Sequence, residues 1–371
     1  MGKTKLAYFI PILSKAFDVI ELLEIASTPV SLEYLFLKTK TPKTTLFRIL
    51  TTLEHRGYIA KNENRKYRLV SRPKRLRFGF ASQSAEMPFS VAVSASVQRA
   101  AAASGVEIVT LDNRYDAETA IRNAHEFVQR GVDLVLEFQV QENVAPRVAN
   151  IFKRADINLV GIDVPHPSAT YFGVDNYEVG FESGDVLARH ACEMWDGKAD
   201  WLLCIGFAGG GSFVESRITG AFEGLRQRIC TLPADRLVRI EGRGMRHPTS
   251  VAVAEFLRNR SKGKRVLVTA ATDASALGVL DAARQAGREQ DFAIVGQDCT
   301  PEVVEEMQKG SAIVGSISHQ AESYGPRLIQ IGISIMRGYA IPPYNYVKHS
   351  VVTPARLKTG GTIIDGNEDS V

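Results

Sequence analysis

The chain has 371 residues, 45% of them hydrophobic and 23% charged, with a formal net charge of +4. That length supports two or three domains with their own cores, and no run approaches the ~20 apolar residues needed to cross a bilayer. The charge is uneven: residues 1–75 carry 15 Lys and Arg against 6 Asp and Glu, whereas the other 296 carry 30 against 35. A basic head on a mildly acidic body is the electrostatic footprint of a nucleic-acid binder joined to something else.

In chain order, the first signals are three helices, at 14–26, 31–39 and 42–55. Ser14 is placed to cap the first, whose broad apolar face holds Phe17, Ile20, Leu22, Leu23 and Ile25, and Ser31 to cap the second. Pro42 suits the first turn of the third, behind a Thr41 cap, and Gly57 ends it as a residue that accepts positive φ. Helical spacing turns Leu46, Ile49, Leu50 and Leu53 inward and leaves Lys43, Thr44, Thr45 and Arg48 on the open face. Hydroxyls and long cations on one face match what base edges and phosphates in a major groove require. A basic hairpin follows, in which Lys61, Arg65, Lys66 and Arg68 are read as phosphate contacts, with a solvated hairpin as the bland alternative. Together these elements read as a winged helix-turn-helix for duplex DNA.

The strings SKAFDVIELL (14–23), TPKTTLFRILTTLEHRGYI (41–59) and KYRLV (66–70) resemble the DNA-binding module of IclR-family bacterial transcription regulators. Lys43, Thr44, Thr45, Arg48, Gly57 and Tyr67 match that pattern by position. The second helix, LEYLFLKT, is bulkier near the turn than the family pattern.

After the polar, proline-bearing string RPKRLR (72–77) the pattern changes to short apolar strands alternating with helices. Strands are expected at 76–81, 106–111, 134–138, 159–163, 201–205, 237–240, 266–270, 293–296, 313–317 and 346–352. Helices are expected at 117–129, 144–155, 179–194, 213–228, 249–260, 274–286 and 321–337. This alternation argues for α/β architecture with parallel sheets covered on both faces, which bind ligands beyond the carboxyl ends of their strands. At those ends stand Asp112-Asn113, Asp163, Asp175-Asn176, Thr272-Asp273, Asp298 and Ser318-His319, with one cation at Arg217. Carboxylates and amides around one guanidinium suit a hydroxyl-rich ligand, and Phe89 suits a sugar face. Each has a plainer reading: Asp112 and Asp175 as turn or cap residues, Arg217 as a surface residue, His319 as a polar hinge residue and Phe89 as core.

The strings FGFASQSAEMPFS (78–90), VTLDNRYDAETAIRNAHEFVQRGVDLVL (109–136), LVGID (159–163), GVDNYEVG (173–180), ESRITGAFEGL (215–225), TAATDASALGVLDAARQAG (269–287) and IVGQDCTPE (294–302) resemble, in order, the sensor of the LacI family and its ribose-binding relatives. The resemblance implies a periplasmic-binding-protein type 1 fold: two Rossmann-like lobes with hinge crossings near 176, 318 and 346 and a sugar-sized ligand between them. Carried over by position, the ligand contacts are Phe89, Asp163, Arg217, Asp273, Asp298 and His319, with Asp175 or Asn176 near the hinge. The chain departs from that pattern at Met87, Ser90 and Val164.

The four cysteines (Cys192, Cys204, Cys230 and Cys299) have no paired or metal-ligand spacing and read as reduced core thiols. The apolar stretch 6–13 is too short for a signal peptide. No histidine cluster and no Ser-His-Asp or Cys-His spacing argues for a metal or for catalysis, and Gly209–Gly211 lacks the lysine of a phosphate loop. The domains are expected at 1–75, 76–357 and a disordered tail at 358–371. The leading reading is a cytoplasmic, homodimeric, sugar-responsive transcription regulator without cofactor, taking duplex DNA and a neutral monosaccharide as partners. The alternatives are a solute-binding protein for sugar uptake or chemotaxis, disfavoured by the basic head, and a nucleotide-using Rossmann enzyme.

Overall fold

The computed structural model describes residues 10–70, 76–139, 141–229, 232, 234–258, 260 and 263–359, and the chain divides into two compact units, Met1–Leu76 and Arg77–Val371. The expected linker at 72–77 up to Arg75, Cys230 and the tail from 360 lie outside the described residues, as do the first residues of the apolar stretch at 6–13.

The first unit has three helices, α1 (Pro11–Ile25), α2 (Leu32–Thr39) and α3 (Lys43–His55), followed by an antiparallel hairpin of β1 (Ile59–Lys61) and β2 (Tyr67–Leu69). Its core is Val19, Leu23, Leu35, Leu46, Leu50 and Ile59, all but fully buried. Ser31 caps α2, accepting from the Tyr34 N–H at 3.2 Å. Ser14 does not cap α1: Pro11 starts the helix three residues earlier, leaving Ser14 inside it and Ile10 at its cap. Thr41 does not cap α3 either. Its hydroxyl turns back to the Thr39 carbonyl at 3.5 Å, and Pro42 itself holds the capping position. Gly57, at φ +76°, follows the last turn of α3 and releases the chain into the hairpin.

The second unit contains two six-stranded sheets. The first lobe comprises β3 (Arg77–Ser82), α4 (Pro88–Ala103), β4 (Glu107–Asp112), α5 (Ala117–Arg130), β5 (Leu134–Phe138), α6 (Ala145–Arg154), β6 (Asn158–Ile162) and β7 (Thr170–Gly173). It also takes α12 (Ala321–Met336) and β13 (Tyr344–Tyr346), and its sheet is parallel throughout in the order β13-β7-β6-β5-β3-β4. The second lobe runs from α7 (Asn176–Trp195) through β8 (Trp201–Gly206), α8 (Gly211–Arg226), β9 (Leu237–Glu241), α9 (Arg246–Arg258), β10 (Val266–Ala270) and α10 (Asp273–Gln285). It continues with β11 (Phe292–Gln297), α11 (Pro301–Gln308) and β12 (Ile313–Ser318), and ends with β14 (Ser350–Val352) and α13 (Pro354–Lys358). Its sheet order is β14-β12-β11-β10-β8-β9, with only β14 antiparallel.

The inner strands are mostly apolar runs buried on both faces, as β5 and β10 are along their whole length, which is why they stand out in the sequence. The expected strand at 346–352 is two strands in different sheets, because residues 347–349 carry the chain from one lobe to the other. The chain also crosses between β7 and α7 and between β12 and α12. Strand β7 was not expected; at four residues it is too short to show a period.

Candidate functional site

Helix α3 buries Leu46, Ile49, Leu50 and Leu53, which turns Lys43, Thr44 and Arg48 into solvent with Thr45 half-buried beside them. Lys43 already has a partner, Glu33 of α2 at 3.3 Å, but both side chains are more than half exposed, so the pair is weak and open to exchange for a phosphate. Phe47, 55% exposed, shares this face, and sequence reasoning missed it. An exposed aromatic there suits a thymine methyl. Lys61, Arg65, Lys66 and Arg68 are all exposed on the hairpin, whose turn is closed by the Asn62 side chain accepting from the Lys66 N–H at 2.9 Å.

In the second unit, strand ends of both lobes converge on a cavity of about 530 Å³. Asp163 follows β6, Asp298 follows β11 and His319 follows β12, while Arg217 enters from α8 and Phe89 from the start of α4; all five line the cavity. The position of Arg217 depends on four glycines. A Cβ at Gly180, Gly184, Gly220 or Gly224 would meet the backbone of the facing helix, so α7 and α8 pack backbone to backbone. That contact brings the Arg217 Nε to the Asn176 Oδ1 at 2.6 Å, while its Nη1 donates to the Ala271 carbonyl at 2.8 Å.

Burial dominates the electrostatics. Desolvation pushes the Asp163 carboxyl up to about 6, opposed by Arg217 and by the Tyr324 hydroxyl, which donates to it at 3.1 Å. Asp298 is pushed well above the usual carboxylate range by burial and by the neighbouring Asp273. Its φ of +108° and the +60° of Asp163 are sparsely populated for residues with a side chain, the kind of strain that collects at functional sites. Burial holds His319 well below its ordinary value, so the ring is neutral. Its Nε2 lies 3.1 Å from the Gln297 Oε1, and its buried Nδ1 has no partner in the protein. A neutral imidazole with an open ring nitrogen and two carboxyls that burial raises above the usual carboxylate range can accept from hydroxyls.

Two expected contacts do not line the cavity. Asp273 is fully buried behind it: its carboxylate accepts from the Thr300 N–H at 2.6 Å, the Thr300 hydroxyl at 3.1 Å and the Ser316 hydroxyl at 2.7 Å, pinning the loop after β11. Asn176, 2% exposed, orients Arg217 rather than facing the space. Thr272, one residue before Asp273, faces the cavity instead and caps α10. Sequence reasoning also missed Tyr115, which closes the mouth from the first lobe with its ring 6.0 Å from that of Phe207 in the second. Beside it, the Ser212 N–H at the start of α8 donates to the Glu142 Oε2 at 3.1 Å, a bond from one lobe to the other. A Cβ on Gly211 would run into that carboxylate.

Cys192 is exposed, not a core thiol; Cys204 is buried and Cys299 partly so, and burial pushes both of these thiols up to about 12. Among the described residues no group of three or more His, Cys, Asp or Glu is placed to hold a metal, and no helix is long and apolar enough to cross a membrane.

The profile of the periplasmic binding protein domain matches residues 78–340, and that of the IclR helix-turn-helix domain matches residues 12–63. Among solved structures, the body is similar to an ABC transporter periplasmic solute binding protein from Actinobacillus succinogenes with bound D-allose. The identity is 16%, over 76% of this chain and 99% of that one, with a TM-score of 0.66. GanP, a glucose-galactose binding protein from Geobacillus stearothermophilus, is 21% identical over 76% of this chain and 99% of its own, with a TM-score of 0.66. A solute binding protein from Bacillus halodurans with bound myo-inositol covers 79% of this chain and 99% of its own at 16% identity, with a TM-score of 0.67. No curated protein matches the chain. Neither domain family is enzymatic. The two-lobed body and the profile spanning most of the chain establish that this protein belongs to the periplasmic binding protein domain family, with an IclR helix-turn-helix domain ahead of it.

Proposed function

We propose that the protein is a sugar-responsive, DNA-binding transcription regulator. The observation that carries this reading is the fusion itself: one chain joins an IclR helix-turn-helix, with Lys43, Thr44, Thr45 and Arg48 on its open helix face, to a binding-protein body whose cavity gathers Phe89, Asp163, Arg217, Asp298 and His319. Helix α3 enters the major groove, and the β1–β2 hairpin acts as a wing whose Lys61, Arg65, Lys66 and Arg68 grip phosphate. Two-fold half-sites call for a homodimer. The body works as in LacI-family sensors, in the cytoplasm: effector between the lobes draws them together and changes operator affinity.

The effector is a neutral monosaccharide or polyol. Solved relatives of the fold hold D-allose, glycerol and myo-inositol. In this chain two carboxyls face one guanidinium in a partly dry cleft, and an anionic ligand would add to negative charge that burial already opposes. Asp273 and Asn176 serve as positioning residues behind the contacts.

Duplex DNA selected from a random pool by the full-length protein, followed by a thermal-shift panel of neutral sugars, polyols and sugar phosphates, tests this. A true effector at ~100 times its Kd adds about 2.7 kcal/mol to stability and changes affinity for the selected DNA. Recovery of no specific DNA would leave a solute-binding protein. Stabilisation by sugar phosphates alone would overturn the neutral ligand.

A further inference from the structure

The cavity is larger than one sugar ring and has two unlike ends. At ~30 Å³ each, the share a whole water takes in the liquid, the roughly twelve heavy atoms of a hexose fill at most about 360 Å³. The cavity holds about 530 Å³, within the range of pockets for drug-sized molecules.

The hinge end is polar: Asp163, Arg217, Asp298 and His319 lie within electrostatic reach of one another, with the His319 Nε2 4.0 Å from the Asp298 Oδ1. Beyond these groups the lining includes the rings of Tyr115 and Phe207 with Val214 and Leu277, and only the Tyr115 hydroxyl reaches back electrostatically to Asp298. The Tyr115 and Phe207 rings are 6.0 Å apart and tilted by 46°, and the Phe207 and Val214 side chains lie together against Gly210. The other charged side chains of the lining, Arg246 and Glu302, are paired with each other. Arg246 donates to both Asp281 oxygens, at 2.7 and 2.9 Å, and to Glu302 at 2.7 Å. A hydroxylated second ring would find few partners here beyond the Tyr115 and Thr272 hydroxyls, whereas an apolar group would gain contact with Phe207, Val214 and Leu277.

We propose that the effector is a glycoside: a neutral sugar ring held at the hinge end, carrying a small apolar, preferably aromatic, substituent that lies between Tyr115, Phe207, Val214 and Leu277. This rests on the reading of the cleft as a sugar site. The inner groups orient the ring by hydrogen bonds, and the substituent completes the closure of the lobes by filling the mouth.

Isothermal titration of the full-length protein with free hexoses and pentoses and with their phenyl glycosides tests it. The expected result is a phenyl glycoside bound at least about tenfold more tightly than its parent sugar. Val214→Phe, which narrows the space beside Phe207, brings that ratio to about one, and so does Tyr115→Ser. Parent sugars that bind as tightly as their glycosides overturn the glycoside and leave the sugar-responsive reading standing. Binding of neither series overturns both.

Discussion

In the helix-turn-helix head the proposed contact groups stand in water on one helix face and one hairpin, and their neighbours barely constrain them. In the body they lie half-buried or buried at strand ends and helix starts, and the ionisable ones are held by partners that set both direction and charge. Head residues are therefore replaceable without cost to the fold, whereas changing a body residue disturbs whatever it supports. The sharpest case is a pair of carboxylates in the same lobe. Asp298 faces the cavity, and Asp273 stands behind it holding a loop.

The largest effect follows from that pair. Asp273→Ala strands the Ser316 hydroxyl in a buried site and removes the acceptor of the half-buried Thr300 N–H and hydroxyl. An unsatisfied buried group costs about 1–3 kcal/mol, so with smaller losses at Thr300 a stability loss of roughly 2–4 kcal/mol is expected by chemical denaturation. Asp298→Ala should cost ligand affinity first. Equal losses of stability in the two variants would erase the distinction between contact and support.

Next comes the head. Arg48→Ala together with Thr45→Ala should weaken specific DNA binding by roughly 1–3 kcal/mol while the melt of the body stays where it was. Unchanged binding in a gel shift would remove α3 as the reading helix. A shifted body melt would show that the head is not the independent surface described above.

How much of this the sequence shows follows from the same contrast. The face of α3 is legible because the 3.6-residue period that buries Leu46, Ile49, Leu50 and Leu53 also fixes what points outward. The body's strands are legible because parallel strands buried on both faces are continuous apolar runs, and the polar residues that end them stand out. The side a strand-end residue faces is not written in any period. At Thr272-Asp273 the choice falls to helix capping: Thr272 caps α10 and faces the cavity, and Asp273 turns inward to the loop at Thr300. Tyr115 and Glu142 escaped notice because their roles exist only once the lobes meet, through partners about 90 and 70 residues away in Phe207 and Ser212.

A pH series separates the two regions again. Glu137, fully buried on β5, accepts from the Asn113 amide at 2.8 Å, and burial pushes its carboxyl up to about 8. Asp273, up to about 7, acts in the same sense. Such a group is protonated in the fold at pH values where it is ionised in the unfolded chain. Its stabilisation is therefore complete below about pH 4.5 and lost as pH rises through about 8. His166, held down to about 4 by burial, works oppositely, but only below about pH 6.5. Between pH 6.5 and 8 the body should lose up to about 2 kcal/mol, and Glu137→Gln should flatten that slope. A slope unchanged in Glu137→Gln would move its origin elsewhere, to Asp273 or to His349, which the Glu182 carboxylate at 3.1 Å holds above its ordinary value.

The smallest effect tests whether support in the body extends to its motion. The bond from the Ser212 N–H to Glu142 joins the lobes across the mouth and touches no part of the proposed ligand position at the hinge. It exists only while the lobes are together, so its loss should act on opening rather than on the ligand's own contacts. Glu142 also places a negative charge at the N-terminus of α8, where the helix dipole favours it. Glu142→Gln keeps the size and one acceptor but removes that charge, and Glu142→Ala removes both. Stopped-flow dissociation of the bound sugar should quicken by about fivefold in the alanine variant, equivalent to about 1 kcal/mol, and by less in the glutamine variant. The association rate should change little, because the open form already lacks the bond. Dissociation unchanged in both variants would mean that the lobes are held together by the ligand and by ring contacts, Tyr115 on Phe207 and Phe213 on Tyr171 and Tyr344, and the mouth would then be as passive a surface as the face of α3.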